Sequence, residues 1–384
     1  MDITIQPGKL QGEITIIPSK SQAHRLLICA AFAGGKTEFL CPQTNRDIEA
    51  TADCLRALGA KIERTAAGYT VEPICEPPQT AVLNCCESGS TLRFMLPIAG
   101  ALGVDATFTM EGRLPQRPLS PLWEEMERMG CSLSRPAVNT IRCQGKLKPG
   151  KYTVDGSVSS QFITGLLYAR ALLGGETSLT VTGKVESKPY IKMTRKALEL
   201  FQAPDLKSPG KVTVEGDWSN GAFFLAAKAL GSGIEILGLE DDSAQGDRLI
   251  SEILLVLKSG HATISVADIP DLIPILSVFA AANKGATFTD IRRLRLKESD
   301  RVAAVIGMVT ALGGNATADE DTLTVEGTGL QGGIVNSHND HRIAMAAAIA
   351  ATVCTQPVTV LGAEAVDKSY PQFWEEYRHL GGKL

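Results

Sequence analysis

The chain has 384 residues, with 38 Lys and Arg against 42 Asp and Glu, for a formal net charge of −4. At about 150 residues per domain this length predicts two domains or three, and 44% hydrophobic with 21% charged residues supplies ordinary globular cores. The composition excludes a disordered chain, a collagen-like fibre and a coiled coil, and its mild acidity argues against broad nucleic-acid or membrane-surface binding.

The N-terminal MDITIQPGKL holds a short strand over 3–5 and no secretion-signal pattern. From there one pattern recurs six times, over 19–39, 87–110, 159–181, 219–239, 271–291 and 339–361. Each copy opens on polar or small residues, runs into an apolar helix, breaks, and ends in a β-branched strand. Helices apolar almost all round are expected to be buried. Between them lie amphipathic helices, several stopping at a glycine (Gly59, Gly130, Gly260, Gly313, Gly381) expected to adopt the left-handed cap conformation. Six units divide into three and three, with the boundary near 214–219. The longest apolar run, 343–354, is too short to span a bilayer. Nine cysteines form no C-x-x-C pair, and most sit in apolar helices, so a soluble protein of a reducing compartment, the cytoplasm, is expected.

The starts of the buried helices carry the informative residues. Helix N-termini present unpaired N–H groups and partial positive charge, which favour anions. Here they hold Lys20, Ser21 and Arg25; Ser88, Gly89 and Arg93; Ser159, Ser160 and Gln161; Asp271; and Asp340, His341 and Arg342. Capping alone accounts for any single Ser or Asp. It accounts poorly for Lys or Arg in a first turn, where they oppose the dipole. In 292–301, RRLRLKESDR, alternation predicts a strand with Arg293, Arg295 and Lys297 on one face and Leu294 and Leu296 on the other. Glu298 and Arg301 are spaced to pair on the helix that follows. Arg117 stands in a Pro-bounded loop suited to gripping a phosphate or carboxylate, and Lys368 in a loop before the last helix. Other patterns fail: GTGLQG at 327–332 opens no helix, and neither a Walker A sequence nor a G-x-S-x-G elbow occurs. His338 and His341 lie close together, but Asp340 reads as a cap, so no metal is expected.

These segments, SKSQAHR at 19–25, ESGSTLR at 87–93, LPQRPL at 114–119, SSQ at 159–161, SKPY at 187–190, KESDR at 297–301 and NDHR at 339–342, occur together. In order and spacing the chain resembles the 5-enolpyruvylshikimate-3-phosphate synthase family over essentially its whole length. The resemblance implies an α/β fold of two pseudo-symmetric domains, each of three βαβαββ units, an inside-out α/β barrel of the enolpyruvyl-transferase type. It implies a discontinuous domain of 1–13 plus 217–384 and a second of 14–216, closing over a cleft. The implied substrates are phosphoenolpyruvate and shikimate 3-phosphate, with no cofactor; a monomer is the expected state, with no nucleic-acid or membrane partner.

By the same resemblance, shikimate 3-phosphate is held by Lys20, Ser21, Arg25, Ser159, Ser160, Gln161, Ser187, Asp271 and Lys297. Phosphoenolpyruvate falls to Lys20, Gly89, Arg117, Gln161, Arg301, Arg342 and Lys368. Asp271 is expected to receive the 5-hydroxyl proton, and either Glu298 or Lys20 to protonate C3. Some positions depart from the family's common pattern: His24 and Glu87 stand where Asn is usual, Phe94 where Pro is frequent, and Arg293 where some members have Asn. Gly89 rather than Ala implies that glyphosate can enter the phosphoenolpyruvate site. The related UDP-N-acetylglucosamine enolpyruvyl transferases carry Lys-Asn at 20–21 and usually a Cys where this chain has Gly112. A non-catalytic anion-binding protein on the same scaffold would need neither Asp271 nor Glu298.

Overall fold

The computed structural model describes residues 1–384. The chain divides into two compact units, Pro18–Glu215 and Met1–Ile17 with Gly216–Leu384. Two strands open it, β1 (Asp2–Ile5) and β2 (Gln11–Thr15).

In the unit Pro18–Glu215 the order is α1 (Lys20–Phe32), β3 (Thr37–Leu40), α2 (Arg46–Ala57), β4 (Lys61–Thr65) and β5 (Gly68–Glu72). There follow β6 (Thr80–Asn84), α3 (Gly89–Leu102), β7 (Asp105–Thr109), α4 (Leu122–Arg128), β8 (Cys131–Ala137) and β9 (Thr140–Gly145). The last stretch is β10 (Lys151–Asp155), α5 (Ser160–Leu173), β11 (Ser178–Thr182), α6 (Lys188–Leu200) and β12 (Lys211–Thr213). The middle segment is a complete βαβαββ unit: β6 and β7 pair in parallel across α3, and the β8–β9 hairpin continues the sheet in the order β6-β7-β9-β8. In the first, the late strand β12 supplies the missing leading strand, parallel to β3.

The same order recurs in the other unit as α7 (Trp218–Ala229), β13 (Gly233–Leu237), α8 (Ile250–Ser259), β14 (Ala262–Ser265), α9 (Ile273–Ala282) and β15 (Ala286–Thr289). It continues through α10 (Arg301–Ala311), β16 (Ala316–Ala318), β17 (Thr322–Val325), β18 (Gly333–Asn336), α11 (His341–Ala350), β19 (Val358–Leu361) and α12 (Phe373–His379). Its full sheet is β14-β15-β17-β16, and β1 closes a three-stranded sheet antiparallel to β19. Two units are abbreviated: β10–β11 and β2–β13 are two-stranded parallel pairs. The chain after α6 forms only β12, which pairs elsewhere, and α8 runs almost directly into β14, leaving no length for a hairpin.

Each unit packs its own core around these helices. In α9 every residue from Ile273 to Ala281 is buried, as its unbroken apolar sequence dictates. Each fully buried Leu, Ile or Phe contributes about 1.5–3 kcal/mol, so this burial outweighs the modest helix propensity of the β-branched residues.

Three expectations need correction. The switch between units falls at 17/18 and 215/216, because β2 continues through Thr15 in register with β13 (Ile14 opposite Ile236). Four of the glycine stops, Gly59, Gly130, Gly313 and Gly381, have positive φ, but Gly260 is extended at φ −179° as the chain runs straight on into β14. The segment Arg292–Leu296 is a 3₁₀ helix and not a strand. Ile291 and Leu294 are buried while Leu296 is exposed, so the operative spacing is three, which alternation over so short a run cannot distinguish.

Candidate active site

In the unit Pro18–Glu215 the predicted residues gather at the starts of α1, α3, α5 and α6. Lys20 opens α1 and ion-pairs with Asp47 of α2 at 3.0 Å. Arg25 is buried one turn further on; its Nη1 donates to the Ser21 carbonyl at 2.6 Å and its Nε to Thr194 Oγ1 at 2.9 Å. Its guanidinium also lies over the rings of Phe94 and Tyr190, 5.3 and 5.8 Å from their centroids. Held from α6 as well as α1, this cation is fixed in place before any ligand arrives.

Gly89 is the first residue of α3, and Ser88 caps it by accepting from Thr91 N at 3.2 Å. A Cβ at position 89 would lie 2.6 Å from both Arg117 Nη1 and Arg93 Nη1. The glycine thus keeps a helix N-terminus open between two guanidinium groups, an arrangement made for an anion. Arg93 in turn donates to Gln161 Oε1 at 3.0 Å, and Gln161 Nε2 donates to Ser90 Oγ at 3.0 Å. Ser159 caps α5 by accepting from Gln161 N at 3.2 Å, and Ser160 is buried in the first turn. Ser187, also buried, precedes α6 with φ +55°, a left-handed conformation uncommon outside glycine. Arg117 ends the short 3₁₀ turn Leu114–Gln116.

In the other unit five predicted residues meet in one ion cluster. Arg301, fully buried at the start of α10, donates from Nη1 to Asp271 at 2.7 Å, from Nη2 to Glu298 at 2.7 Å and from Nε to Asp340 at 3.0 Å. Asp271 also faces Arg342 Nη2 at 3.2 Å and Lys297 Nζ at 3.7 Å. Asp340 caps α11 by accepting from Arg342 N at 3.0 Å, and Lys368 Nζ donates to the neighbouring Asn339 carbonyl at 2.8 Å.

The electrostatics follow from these distances. Burial alone would raise the Asp271 carboxyl, but Arg342, Lys297 and Arg301 together hold it well below the usual carboxylate range. Burial lowers Lys297 to about 8 even though Asp271 pulls the other way. Asp247, whose Oδ2 accepts from the Ser219 hydroxyl, is pushed up to about 7 by burial and then by the Asp271 charge. A carboxylate so surrounded by cations is a weak base until a ligand takes over part of its cation shell.

Three participants were not given a role from sequence: Arg93, Asp340 and Asp247. Arg93 carried a usable signal, an arginine inside an otherwise apolar helix. Asp340 reads as a cap and is one, and only the fold brings Arg301 to its second oxygen. Asp247 lies in the turn Gly246–Leu249, where nothing local marks it. No cluster of three or more His, Cys, Asp or Glu is arranged to hold a metal, and no helix is long and apolar enough to cross a membrane.

The architecture has close counterparts among solved structures. EPSP synthase from Acinetobacter baumannii superimposes with a TM-score of 0.78 at 23% identity, covering 99% of this chain and 98% of that one. The enolpyruvyl transferase NikO from Streptomyces tendae gives 0.74 at 16% identity, covering 100% and 97%. Repeated α/β units with cations and carboxylates gathered at helix starts therefore define an enolpyruvyl-transferase fold. Sequence narrows this further. The chain belongs to the EPSP synthase (3-phosphoshikimate 1-carboxyvinyltransferase) family, which it matches over residues 5–377. Relatives named 3-phosphoshikimate 1-carboxyvinyltransferase include those of Clostridium kluyveri, 38% identical over 100% of this chain and 98% of the relative, and Clostridioides difficile, 36% identical over the same shares.

Proposed function

We propose that the chain transfers the enolpyruvyl group of phosphoenolpyruvate to the 5-hydroxyl of shikimate 3-phosphate and releases phosphate, a step of aromatic amino-acid biosynthesis. In a chain of this family, the observation that carries the reading is the cluster around Arg301, which joins a carboxylate base to cations suited to anionic substrates. The 5-hydroxyl oxygen adds to C2 of phosphoenolpyruvate while C3 gains a proton, giving a tetrahedral adduct. Loss of a C3 proton and of phosphate then restores the enol ether. No covalent bond to protein is needed, so positioning and electrostatics carry the rate enhancement.

Asp271 takes the hydroxyl proton once the substrate loosens its hold on Lys297 and Arg342. Glu298 is the donor to C3, with Lys20 the alternative. Its side chain is 28% exposed against 16% for Asp271 and none for Asp340, so it is the Arg301 partner an anionic substrate displaces most readily. Displacement of Glu298 from Arg301 by phosphoenolpyruvate would remove the cation that keeps it ionised, so that the carboxyl takes up a proton from solvent and then delivers it to C3. On the phosphate side, Gly89 with Arg117 receives phosphoenolpyruvate, while Arg25, Ser21, Ser159, Ser160, Gln161, Ser187 and Lys297 receive shikimate 3-phosphate. The assay is phosphate release, expected only when both substrates are present. Turnover with UDP-N-acetylglucosamine in place of shikimate 3-phosphate would overturn the assignment.

A further inference from the structure

A continuous chain of buried polar groups crosses three helices behind the Gly89 site. His24 Nδ1 on α1 meets Thr51 Oγ1 on α2 at 2.7 Å, and Thr51 Oγ1 meets Thr91 Oγ1 on α3 at 2.7 Å. Thr91 Oγ1 then donates to Ser88 Oγ, the α3 cap, at 2.8 Å. All four side chains are essentially inaccessible to solvent. The last bond fixes the direction of the rest. Thr91 gives its hydrogen to Ser88, so it accepts from Thr51, and Thr51 accepts from His24 Nδ1–H. Nε2 of His24 is buried without a partner, and the neutral ring protonated on Nδ1 is the tautomer that leaves no buried N–H unsatisfied there. Burial, then Lys20 and Arg25, hold the imidazole well below its ordinary value, in keeping with a neutral ring.

The helices joined in this way carry the site. α1 bears Lys20, Ser21 and Arg25, α2 bears Asp47, which holds Lys20, and α3 begins at Gly89 and bears Ser90 and Arg93. Apolar packing between these helices carries no direction of its own, whereas a hydrogen-bonded chain fixes one register. We propose that His24, Thr51 and Thr91 are positioning residues that lock the first turn of α3 to α1 and α2, holding the Gly89 anion site in fixed register with the residues on α1. This inference rests on the reading of Gly89 as part of the phosphoenolpyruvate site.

The test compares Thr51→Val, which keeps shape but removes the hydroxyl, with Thr51→Ser, which restores it, in steady-state kinetics of the full chain. Loss of the link is expected to raise KM for phosphoenolpyruvate about fivefold or more in Thr51→Val while kcat stays within about twofold, with Thr51→Ser near wild type. An unchanged KM in Thr51→Val, or equal impairment in Thr51→Ser, overturns the proposal. A second measurement needs no variant: nitrogen NMR of the wild-type histidines at neutral pH should find His24 protonated on Nδ1 alone. An Nε2–H or doubly protonated ring overturns the chain even if Thr51→Val fails to fold. Wild-type protein that does not turn over the two substrates would refute the proposed function, and the NMR result would still decide the chain.

Discussion

Lys297 offers the sharpest test of the site's electrostatics. Its ammonium is held at about 8 because burial removes water that Asp271, 3.7 Å away, and Glu298 only partly replace against the nearby Arg301 and Arg293. A group with that value is about nine-tenths charged at pH 7 and about one-tenth charged at pH 9. If Lys297 grips the shikimate 3-phosphate anion, kcat/KM for that substrate should fall roughly tenfold over this interval, equivalent to about 1.4 kcal/mol. The ratio kcat/KM is the one to follow because it reports the free enzyme, in which this value applies; bound phosphate would raise it. Lys297→Arg supplies the control, since a guanidinium stays charged throughout and should flatten the profile whatever it costs in absolute rate. A wild-type kcat/KM constant from pH 7 to 9, or the same fall in Lys297→Arg, refutes the reasoning.

Four further outcomes are expected. Asp271→Asn should lower kcat about 10²- to 10⁴-fold in the two-substrate assay, and near-wild-type turnover would remove it as the base. Glu298→Gln should lower kcat without raising KM for phosphoenolpyruvate, because it weakens the competitor for Arg301; a raised KM at unchanged kcat would reverse its role. Gly89→Ala should raise KM for phosphoenolpyruvate about tenfold with little change in melting temperature, since its Cβ meets the guanidinium ends of Arg93 and Arg117 rather than backbone. The Asp247 carboxyl is raised from 3.8 to about 7, so the folded state binds the extra proton and stability drains away as pH climbs through that range. Asp247→Asn should therefore gain up to a few kcal/mol over wild type at pH 8 and nothing at pH 4, measured by urea denaturation; a difference independent of pH would show that Asp247 does not titrate there.

The six buried helices were legible because an all-apolar helix has one stable environment, and α9 and α11 carry that instruction in nearly every residue. The site was legible for a related reason: Lys20, Arg301 and Arg342 sit in helix first turns, where the dipole opposes a cation, and Arg25 is a charge one turn further into a buried helix. What stayed hidden was partnership between segments distant in the chain. Asp340 and Arg301 are 39 residues apart, and Arg25 reaches Thr194 across 169. Nothing in either local sequence encodes that meeting. The misread strand at 292–296 has a different cause. Leu294 and Leu296 are both apolar, and only the buried Ile291 before them selects the three-residue spacing.

The net charge says little about how an anion binds here. Around Arg301 the cations Lys297, Arg301 and Arg342 stand beside the carboxylates of Asp271, Glu298 and Asp340, so opposite charges in the cluster nearly balance. Such a cluster cannot attract two polyanions by net field. Under the proposed assignment, binding would proceed by exchange, with substrate oxygens replacing carboxylate oxygens on cations already in place. The cost of gathering like charges was met during folding, and each exchange trades one short ion pair for another of similar desolvation. Arg301 has no water to lose and shares three carboxylates, so it acts first as the scaffold that holds Asp271, Glu298 and Asp340 together. Lys297 and Arg342 both pair with Asp271, and Lys297, with 19% of its side chain exposed against 6% for Arg342, is the more accessible position for exchange. If Asp271 is the base, the carboxylate they release would be the catalytic one, and ligand binding and base activation would be the same event.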